Sequence, residues 1–272
     1  MNDHRLEAGF VGAGNMGQAL IAGMIRSGIA PGAIGFAEPD SGRATALRAQ
    51  FPGLVRLEPR ELAGSVRTLV LAVKPQILPE VAPALADAVA PQQPLVVSVA
   101  AGITTDRIAG WLGPATRIIR AMPNTPALIG AGITGLFANP QTTATDREAA
   151  ERLLGAVGTT VWVKDEEQMH AVTATSGSGP AYVFLLIEAM TQAAEALGLD
   201  PPTARRLTLA TVTGAAELAA ASEAGPAELR ARVTSPGGTT ERAVAVFEQA
   251  GFAQLFEDAM RAAAARSREL GG

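Results

Sequence analysis

The chain has 272 residues, no cysteine, two histidines and a formal net charge of −4. Its length admits one large domain or two ordinary ones; the lack of cysteine excludes disulfide frameworks, thiolate nucleophiles and cysteine-held metals, two histidines leave little from which to build a metal site or a Ser-His-Asp triad, and the acidic balance argues against a nucleic-acid partner. Charged residues are 18% against 48% hydrophobic, which points to surface buried between domains or subunits; no apolar run reaches the ~18 residues of a membrane span, and the polar start Met1–Glu7 reads as no signal peptide, so the expected compartment is the cytoplasm with no membrane partner.

In chain order, the first half alternates short apolar runs with helical patterns. A strand is predicted over Ala8–Val11, then a helix over Gln18–Ser27, a strand over Ala33–Ala37 and a helix over Ser41–Gln50. Next come a strand over Thr68–Val73, a helix over Ile77–Ala90, a strand over Leu95–Ala100 and a helix over Thr105–Trp111. Strands are predicted again over Arg117–Ala121, Gly132–Ala138 and Thr160–Val163. This alternation indicates βαβ units and a parallel sheet. Leu69–Val73 and Val96–Ala100 are apolar on both faces, as strands covered by helices on both sides should be. Beyond about Asp165 no strand pattern recurs, and helices are predicted over Met169–Leu197, Pro202–Ser222, Thr239–Ala250 and Phe252–Leu270. The run Tyr182–Ile187 is apolar all round, a pattern that asks for burial on every side; in a small helical domain that burial is expected from a partner subunit. The expected class is therefore α/β: a doubly wound dinucleotide-binding domain over 1–165 and an all-α domain over 166–272.

Within the first βαβ unit, Gly12-Ala13-Gly14-Asn15-Met16-Gly17 is a GxGxxG fingerprint between strand and helix, the context that turns a weak glycine pattern into a pyrophosphate site of the Rossmann kind. One glycine permits the tight turn, one lets the backbone approach the pyrophosphate, one allows close strand–helix packing, and the helix N-terminus offers unpaired N–H groups. After the second strand, Glu38 lies where an acid would bond the ribose 2′-OH and repel a 2′-phosphate; a solvated loop acid is the alternative. Ser41 and Arg43 suggest the opposite preference, so both NAD and NADP are expected, with NADH more competitive than usual. Val73-Lys74-Pro75 and Ala100-Ala101-Gly102 end two strands at the carboxyl edge, where ligands of open α/β sheets bind. Small residues there leave room for the nicotinamide ribose, and Lys74 is either a phosphate contact or a surface charge.

Three further segments are unusual. Arg120-Ala121-Met122-Pro123-Asn124-Thr125-Pro126 breaks a strand end with two prolines around a polar pair; Ser176-Gly177-Ser178-Gly179-Pro180-Ala181-Tyr182 enters the long apolar helix; and Val233-Thr234-Ser235-Pro236-Gly237-Gly238-Thr239-Thr240 opens another helix. With the fingerprint, these residues resemble the Δ1-pyrroline-5-carboxylate reductase family over nearly the whole chain. The most specific stretch is Pro226, Leu229, Val233, Thr234, Ser235, Gly237, Gly238, Thr240, Ala243, Val244, Phe247 and Glu248. The resemblance implies reduction of 1-pyrroline-5-carboxylate to L-proline by NADPH or NADH without a metal. It also implies a C-terminal helical domain that interlocks two subunits, and commonly larger rings such as a decamer.

By the same resemblance Ser235, Gly237, Gly238 and Thr239 hold the substrate carboxylate and Thr240 meets the imine nitrogen. A helix start rich in N–H and hydroxyl groups suits a carboxylate without an arginine, and the same serine and threonines could equally cap the helix. Ser178 is counted with Thr240 as catalytic, in a stretch whose small residues either open space for nicotinamide and substrate or allow close helix–helix packing. Asn124 is counted with the cofactor residues. Tyr182 and His170 are read as a core residue and a surface or interface histidine. Two departures stand out: Glu38 where the family often has Ser or an Asn-Arg pair, and Ala231 where an acid is common. The related β-hydroxyacid dehydrogenase class places a catalytic lysine on its first long helix, whereas Met169–Leu197 contains none.

Overall fold

A computed structural model describes residues 5–271; Met1–His4, the beginning of the polar stretch read above, and Gly272 lie outside them. The chain divides into two compact units, one formed by the residues up to Ser178 together with those from Ala262 onward, the other by Gly179–Arg261.

The first unit is built on β1 (Leu6–Val11), α1 (Asn15–Arg26), β2 (Ile34–Ala37), α2 (Ser41–Gln50), β3 (Val55–Arg56), α3 (Pro59–Ala63) and β4 (Val66–Leu71), followed by α4 (Leu78–Val81), α5 (Ala86–Gln92), β5 (Leu95–Ser98), α6 (Thr105–Leu112) and β6 (Ile118–Met122). It continues with β7 (Gly132–Ala138), α7 (Ala144–Gly155), β8 (Gly158–Trp162) and α8 (Gln168–Val172). The strands form one sheet in the order β3-β2-β1-β4-β5-β6-β7-β8. Its chain starts in the middle and winds outward both ways, so the order reverses beside β1, the point where open α/β sheets bind ligands. Phe10 of β1 stands opposite Phe36 on one side and Val70 on the other.

Side-chain alternation divides the core. Phe10, Val70, Leu95 and Val97 point to one face with Leu20 and Ile21 of α1, while Val11, Leu69, Leu71 and Val96 point to the other with Leu62, Leu78 and Ile108. The central strands β1, β4 and β5 thus bury both their odd and their even residues, as a sheet sandwiched between helices requires.

Several expectations are corrected. The sheet is not wholly parallel: β6 and β7 run antiparallel, Ala121 opposite Leu136. Their connection, Pro123–Ala131, is shorter than the dozen or more residues that a parallel crossover needs. The helix expected over Ile77–Ala90 is interrupted: Pro79 lies in the first turn of a short helix from Leu78 and Pro83 starts a 3₁₀ turn at Pro83–Leu85; proline lacks the N–H that would continue the ladder. α1 begins at Asn15 rather than Gln18, while β4 and β5 stop at Leu71 and Ser98. Val73-Lys74-Pro75 and Ala100-Ala101-Gly102 therefore stand beyond the strand ends. β3, α3 and α7 were not expected.

The helix expected over Met169–Leu197 is in three parts: α8, a π-helical turn at Thr173–Gly177, and α9 (Gly179–Ala196). The second unit contains α9, α10 (Pro201–Ala221), α11 (Pro226–Arg232), α12 (Thr239–Gln249) and the first half of α13 (Phe252–Gly271). α10 begins with Asp200 accepting from the Thr203 N–H at 3.1 Å, ahead of Pro201 and Pro202, a start that satisfies one orphan donor and places prolines where no N–H is needed. Tyr182, Phe247, Phe252 and Phe256 form a chain of ring contacts, with centroids 6.3, 5.0 and 5.6 Å apart for Tyr182–Phe256, Phe252–Phe256 and Phe247–Phe252. No residue of α9 is buried, and Phe184 and Leu185 are 62% and 66% exposed.

Candidate functional site

The fingerprint lies where β1 meets α1, at the carboxyl edge of the sheet. Gly12 has φ +94°, and a Cβ there would come within 2.8 Å of the Ala72 carbonyl oxygen; a side chain is excluded twice over. Gly17 lies against the Gly12 carbonyl, where a Cβ would sit at 2.7 Å. At Gly14 the reverse holds: a Cβ would meet nothing within 4 Å. Glycine at Gly14 is thus not required by the protein's own packing, and the open flank is on the residue that caps α1. That cap has no side-chain hydrogen bond, so the first N–H groups of α1, on Asn15, Met16 and Gly17, have no helical carbonyl to meet. An open flank beside unpaired donors fits a dinucleotide pyrophosphate.

Glu38 closes this loop from the next strand. Its carboxylate accepts from the Ala13 N–H at 3.0 Å through Oε2 and from the Asp40 N–H at 3.0 Å through Oε1. The Arg43 guanidinium is 3.3 Å from Oε1. With 7% of its surface exposed, Glu38 is not the solvated loop acid of the alternative reading. It ties the fingerprint to the end of β2. Asp40 caps α2 by accepting from the Arg43 N–H at 2.9 Å, and that bond holds the Asp40 carboxyl below the usual carboxylate range.

The other cofactor candidates lie along the same edge. Val73 and Pro75 are half-buried and Lys74 is exposed. Ala100 and Gly102 are buried and Ala101 half-buried, on the segment between β5 and α6. Asn124 is buried beyond β6, and its Oδ1 accepts from the Ile133 N–H at 3.0 Å, so one side of that amide is committed to holding the start of β7. Ser178 ends the π-helical turn, its N–H bonded to the Thr173 carbonyl at 2.8 Å. Within the turn, a Cβ on Gly177 would lie 2.4 Å from the Met122 Cε, so the turn packs directly on the end of β6. Single π turns inside α-helices concentrate at functional sites, and Gly177, Gly179 and Pro180 were the local signal against a continuous helix here.

In the second unit, the segment before α12 is an open turn. Ser235, Gly237, Thr239 and Thr240 are exposed and Gly238 half-buried. Gly237 has φ +73° and Gly238 is the helix cap. Two N–H groups of the turn are already used: Gly238 donates to the Ser235 carbonyl at 3.0 Å, and Gly237 to the Glu241 carboxylate at 2.8 Å. The first ladder bond of α12 runs from Arg242 to Gly238, which leaves the Thr239, Thr240 and Glu241 N–H groups without a helical carbonyl. No side chain caps this start, so Ser235 and Thr239 are not spent as caps. A carboxylate, that of Glu241, is already drawn to this turn within the chain itself.

Two groups have surroundings that the sequence reading did not give them. His170 is not at the surface: it is 5% exposed, with Nδ1 2.9 Å from the Ser267 hydroxyl. Burial first, then the nearby Arg120 cation, lowers its pKa from 6.5, while Glu167 pulls it up. Arg120 is 2% exposed and pairs with Glu166 at 3.2 Å. An arginine in an otherwise apolar strand is a signal that could have been weighed, since charged side chains are rarely buried unless paired. Tyr182, read as core, is half-buried and carries a buried hydroxyl without a hydrogen-bond partner. Among the described residues no cluster of three or more His, Asp or Glu side chains could hold a metal, and no helix is long and apolar enough to cross a membrane.

Comparison with known proteins agrees along the chain. Residues 166–270 match the family model described as pyrroline-5-carboxylate reductase dimerisation, and residues 7–102 match NADP oxidoreductase coenzyme F420-dependent. A pyrroline-5-carboxylate reductase of Pseudomonas aeruginosa is 48% identical over 96% of this chain and 95% of its own length. The solved structure of a pyrroline-5-carboxylate reductase from Coxiella burnetii superposes with a TM-score of 0.91 at 41% identity, covering 98% of this chain and 99% of that one. That of the Plasmodium falciparum pyrroline carboxylate reductase with NADP bound superposes at 0.88 with 28% identity, covering 99% of both chains.

Proposed function

Because the chain belongs to the pyrroline-5-carboxylate reductase family, we propose a residue-by-residue assignment of its reaction. The activity is that of an NAD(P)H-dependent oxidoreductase, reducing the imine of 1-pyrroline-5-carboxylate to L-proline. When bound, the reduced nicotinamide supplies the hydride. Gly12, Gly14, Asn15, Met16 and Gly17 take the pyrophosphate, Glu38 the adenine ribose, and Val73, Lys74, Pro75, Ala100, Ala101, Gly102 and Asn124 the nicotinamide half. The open flank at Gly14 supports the first assignment and the place of Glu38 against the fingerprint supports the second. Both NADH and NADPH are accepted, with Glu38 favouring the former.

The exposed start of α12 carries the substrate assignment. Ser235, Gly237, Gly238 and Thr239 hold the carboxylate there, displacing the Glu241 side chain from the Gly237 N–H. Thr240, one residue into the helix, directs its hydroxyl at the ring nitrogen. Hydride addition to a carbon–nitrogen double bond is easiest when the nitrogen is protonated, so the substrate binds as its iminium. The protein's work is to orient that ring, exclude water and share the nitrogen's proton through Thr240. Ser178 lines the space left by the glycines around it. We assign 166–272 as the substrate-binding and dimerisation domain, and the exposed apolar residues of α9 to a second copy of the chain, in a cytoplasmic homodimer or a larger ring such as a decamer.

The test is direct. Purified protein should oxidise NADH and NADPH when the cyclic imine is supplied, and reduce NAD(P)+ with L-proline at alkaline pH. Protein that binds dinucleotide but does neither overturns the assignment.

A further inference from the structure

Arg120, Glu166 and Thr105 form a relay in the first unit, with Arg120 and Thr105 buried and Glu166 half-buried. Arg120 lies on β6 with its guanidinium out of water, a position that is costly without a partner. Its Nη1 donates to Glu166 Oε1 at 3.2 Å. The same oxygen accepts the Thr105 backbone N–H at 2.8 Å, and Glu166 Oε2 accepts the Thr105 hydroxyl at 2.8 Å. Thr105 is the first residue of α6, so the carboxylate also meets the positive end of that helix.

The relay has a geometric consequence. Arg120 is the ladder partner of Ser98, the last residue of β5. Through Glu166, its side chain also holds Thr105. The segment Val99–Thr104 thus leaves β5 beside Arg120 and enters α6 at a residue bound to Glu166, the carboxylate partner of the same arginine. A third restraint comes from α13: Gly102 has φ +83°, and a Cβ there would lie 2.8 Å from the Ser267 carbonyl oxygen and 2.9 Å from the Leu270 Cβ. That last turn is fastened in turn by Arg268, whose Nε lies 2.5 Å from Glu167 Oε1, and by the Arg107 guanidinium donating to the Gly271 carbonyl.

We propose that Glu166 is a positioning residue for the dinucleotide: by joining Arg120 to Thr105 it sets the path of Ala100-Ala101-Gly102, and so the seat of the nicotinamide ribose. The proposal rests on the assignment of that segment to the nicotinamide half, made above. Glu166 touches no reacting atom in this scheme. Its effect travels through the loop, and a small displacement of a positioning element is enough to change rate or affinity greatly.

The experiment measures dinucleotide affinity without imine, by fluorescence titration of NADH and NADPH into the full-length protein, beside thermal unfolding and steady-state kinetics. Glu166→Gln should weaken both dinucleotides about tenfold, the scale of one lost charge-assisted bond, while the KM for the imine moves far less. Glu166→Gln leaves a buried cation without its anion, so Thr105→Val is made in parallel: it removes only the hydroxyl bond and should weaken binding about threefold. If Glu166→Gln does not fold, Thr105→Val decides. Wild-type dinucleotide affinity in the folded variants, even with a lowered Tm, makes the relay merely structural and overturns the proposal. Failure of wild-type protein to reduce the imine would instead strike the reductase assignment and leave this measurement intact.

Discussion

In the first unit Phe10, Leu20 and Phe36 have no exposed surface, and both faces of the sheet are covered by helices of the same chain. In the second, Phe184, Leu185 and Phe247 are more than half exposed and no residue of α9 or α12 is buried. The two units have similar appetites for apolar residues and satisfy them differently. A doubly wound sheet closes its own core. A handful of helices has more apolar surface than its own members can cover, and exposed patches of that kind mark interaction surfaces. The family model matching 166–270 is one of dimerisation. Stability of the first unit should therefore be a property of one chain, and that of the second a property of protein concentration.

The largest expected effect breaks this comparison open. Phe10→Ala removes a fully buried ring between β2 and β4 and should cost about 3–5 kcal/mol, the same at every protein concentration in denaturant titrations. Leu185→Asp adds a charge to an exposed position and should leave Phe10's surroundings untouched. Its loss should be read in sedimentation as dissociation of the dimer. A Leu185→Asp protein that keeps the assembly size of the parent would detach α9 from the interface.

The next effect tests the chemistry assigned above to the open unit. Thr240→Ala should lower kcat/KM for the imine by one to two orders of magnitude, about 1.4–2.7 kcal/mol of transition-state binding, with dinucleotide affinity unchanged. The contrast with Glu166→Gln, which should act on dinucleotide affinity, assigns one step to each unit. An unchanged rate removes Thr240 from the mechanism.

How far each unit could be read from the sequence follows the same contrast. The sheet was readable because a strand buried on both faces writes itself as a continuous apolar run, as in Leu69–Leu71, and because glycine spacing at Gly12, Gly14 and Gly17 has a local cause. α7 was overlooked although Thr143 and Asp146 form a reciprocal cap at its start and Asp146, Ala150, Leu153 and Leu154 are buried along it, a helical spacing of i, i+4, i+7 and i+8; only two of those four are large apolar side chains, which keeps the apolar stripe faint in the sequence. β3 is two residues long, below the length at which alternation has meaning. Segments with local signatures, such as Ser235–Thr240, could be put forward as site candidates from the sequence. The Arg120–Glu166–Thr105 relay could not, because its members are joined only by the fold. His170 was misplaced for the same reason: its partner, Ser267, lies near the other end of the chain.

A smaller effect concerns the cofactor. Glu38 lies against the fingerprint with its carboxylate on two backbone N–H groups. Glu38→Gln keeps an acceptor there and removes the negative charge, so it should shift the NADPH to NADH ratio of kcat/KM toward NADPH, by about tenfold, or 1.4 kcal/mol. A ratio that stays in place would confine Glu38 to holding the loop.

The smallest expected effect tests the place where the first unit takes back the end of the chain. The pKa of His170 is lowered in the folded protein, chiefly by burial and then by the Arg120 and Arg268 cations, against the pull of Glu167 and Glu166. Its folded pKa lies below 6.5, the value expected once the chain unfolds. As pH falls through 6.5 the unfolded chain takes up this proton before the folded one does. Proton uptake by the unfolded state alone lowers stability, so the His170 contribution is fully present above pH 6.5 and is lost progressively as pH falls toward the folded value. Unfolding free energies of the parent and His170→Asn, measured by denaturant between pH 8 and pH 5, should run parallel above pH 6.5 and converge below it, with His4 common to both chains and cancelling in the difference. The loss should be independent of protein concentration, because both His170 and Ser267 belong to the unit that closes its own core. A difference curve flat across that range would mean that His170 takes up its proton as readily in the folded protein as in the unfolded chain. Ser267 would then fasten α13 to α8 without any bearing on acid stability.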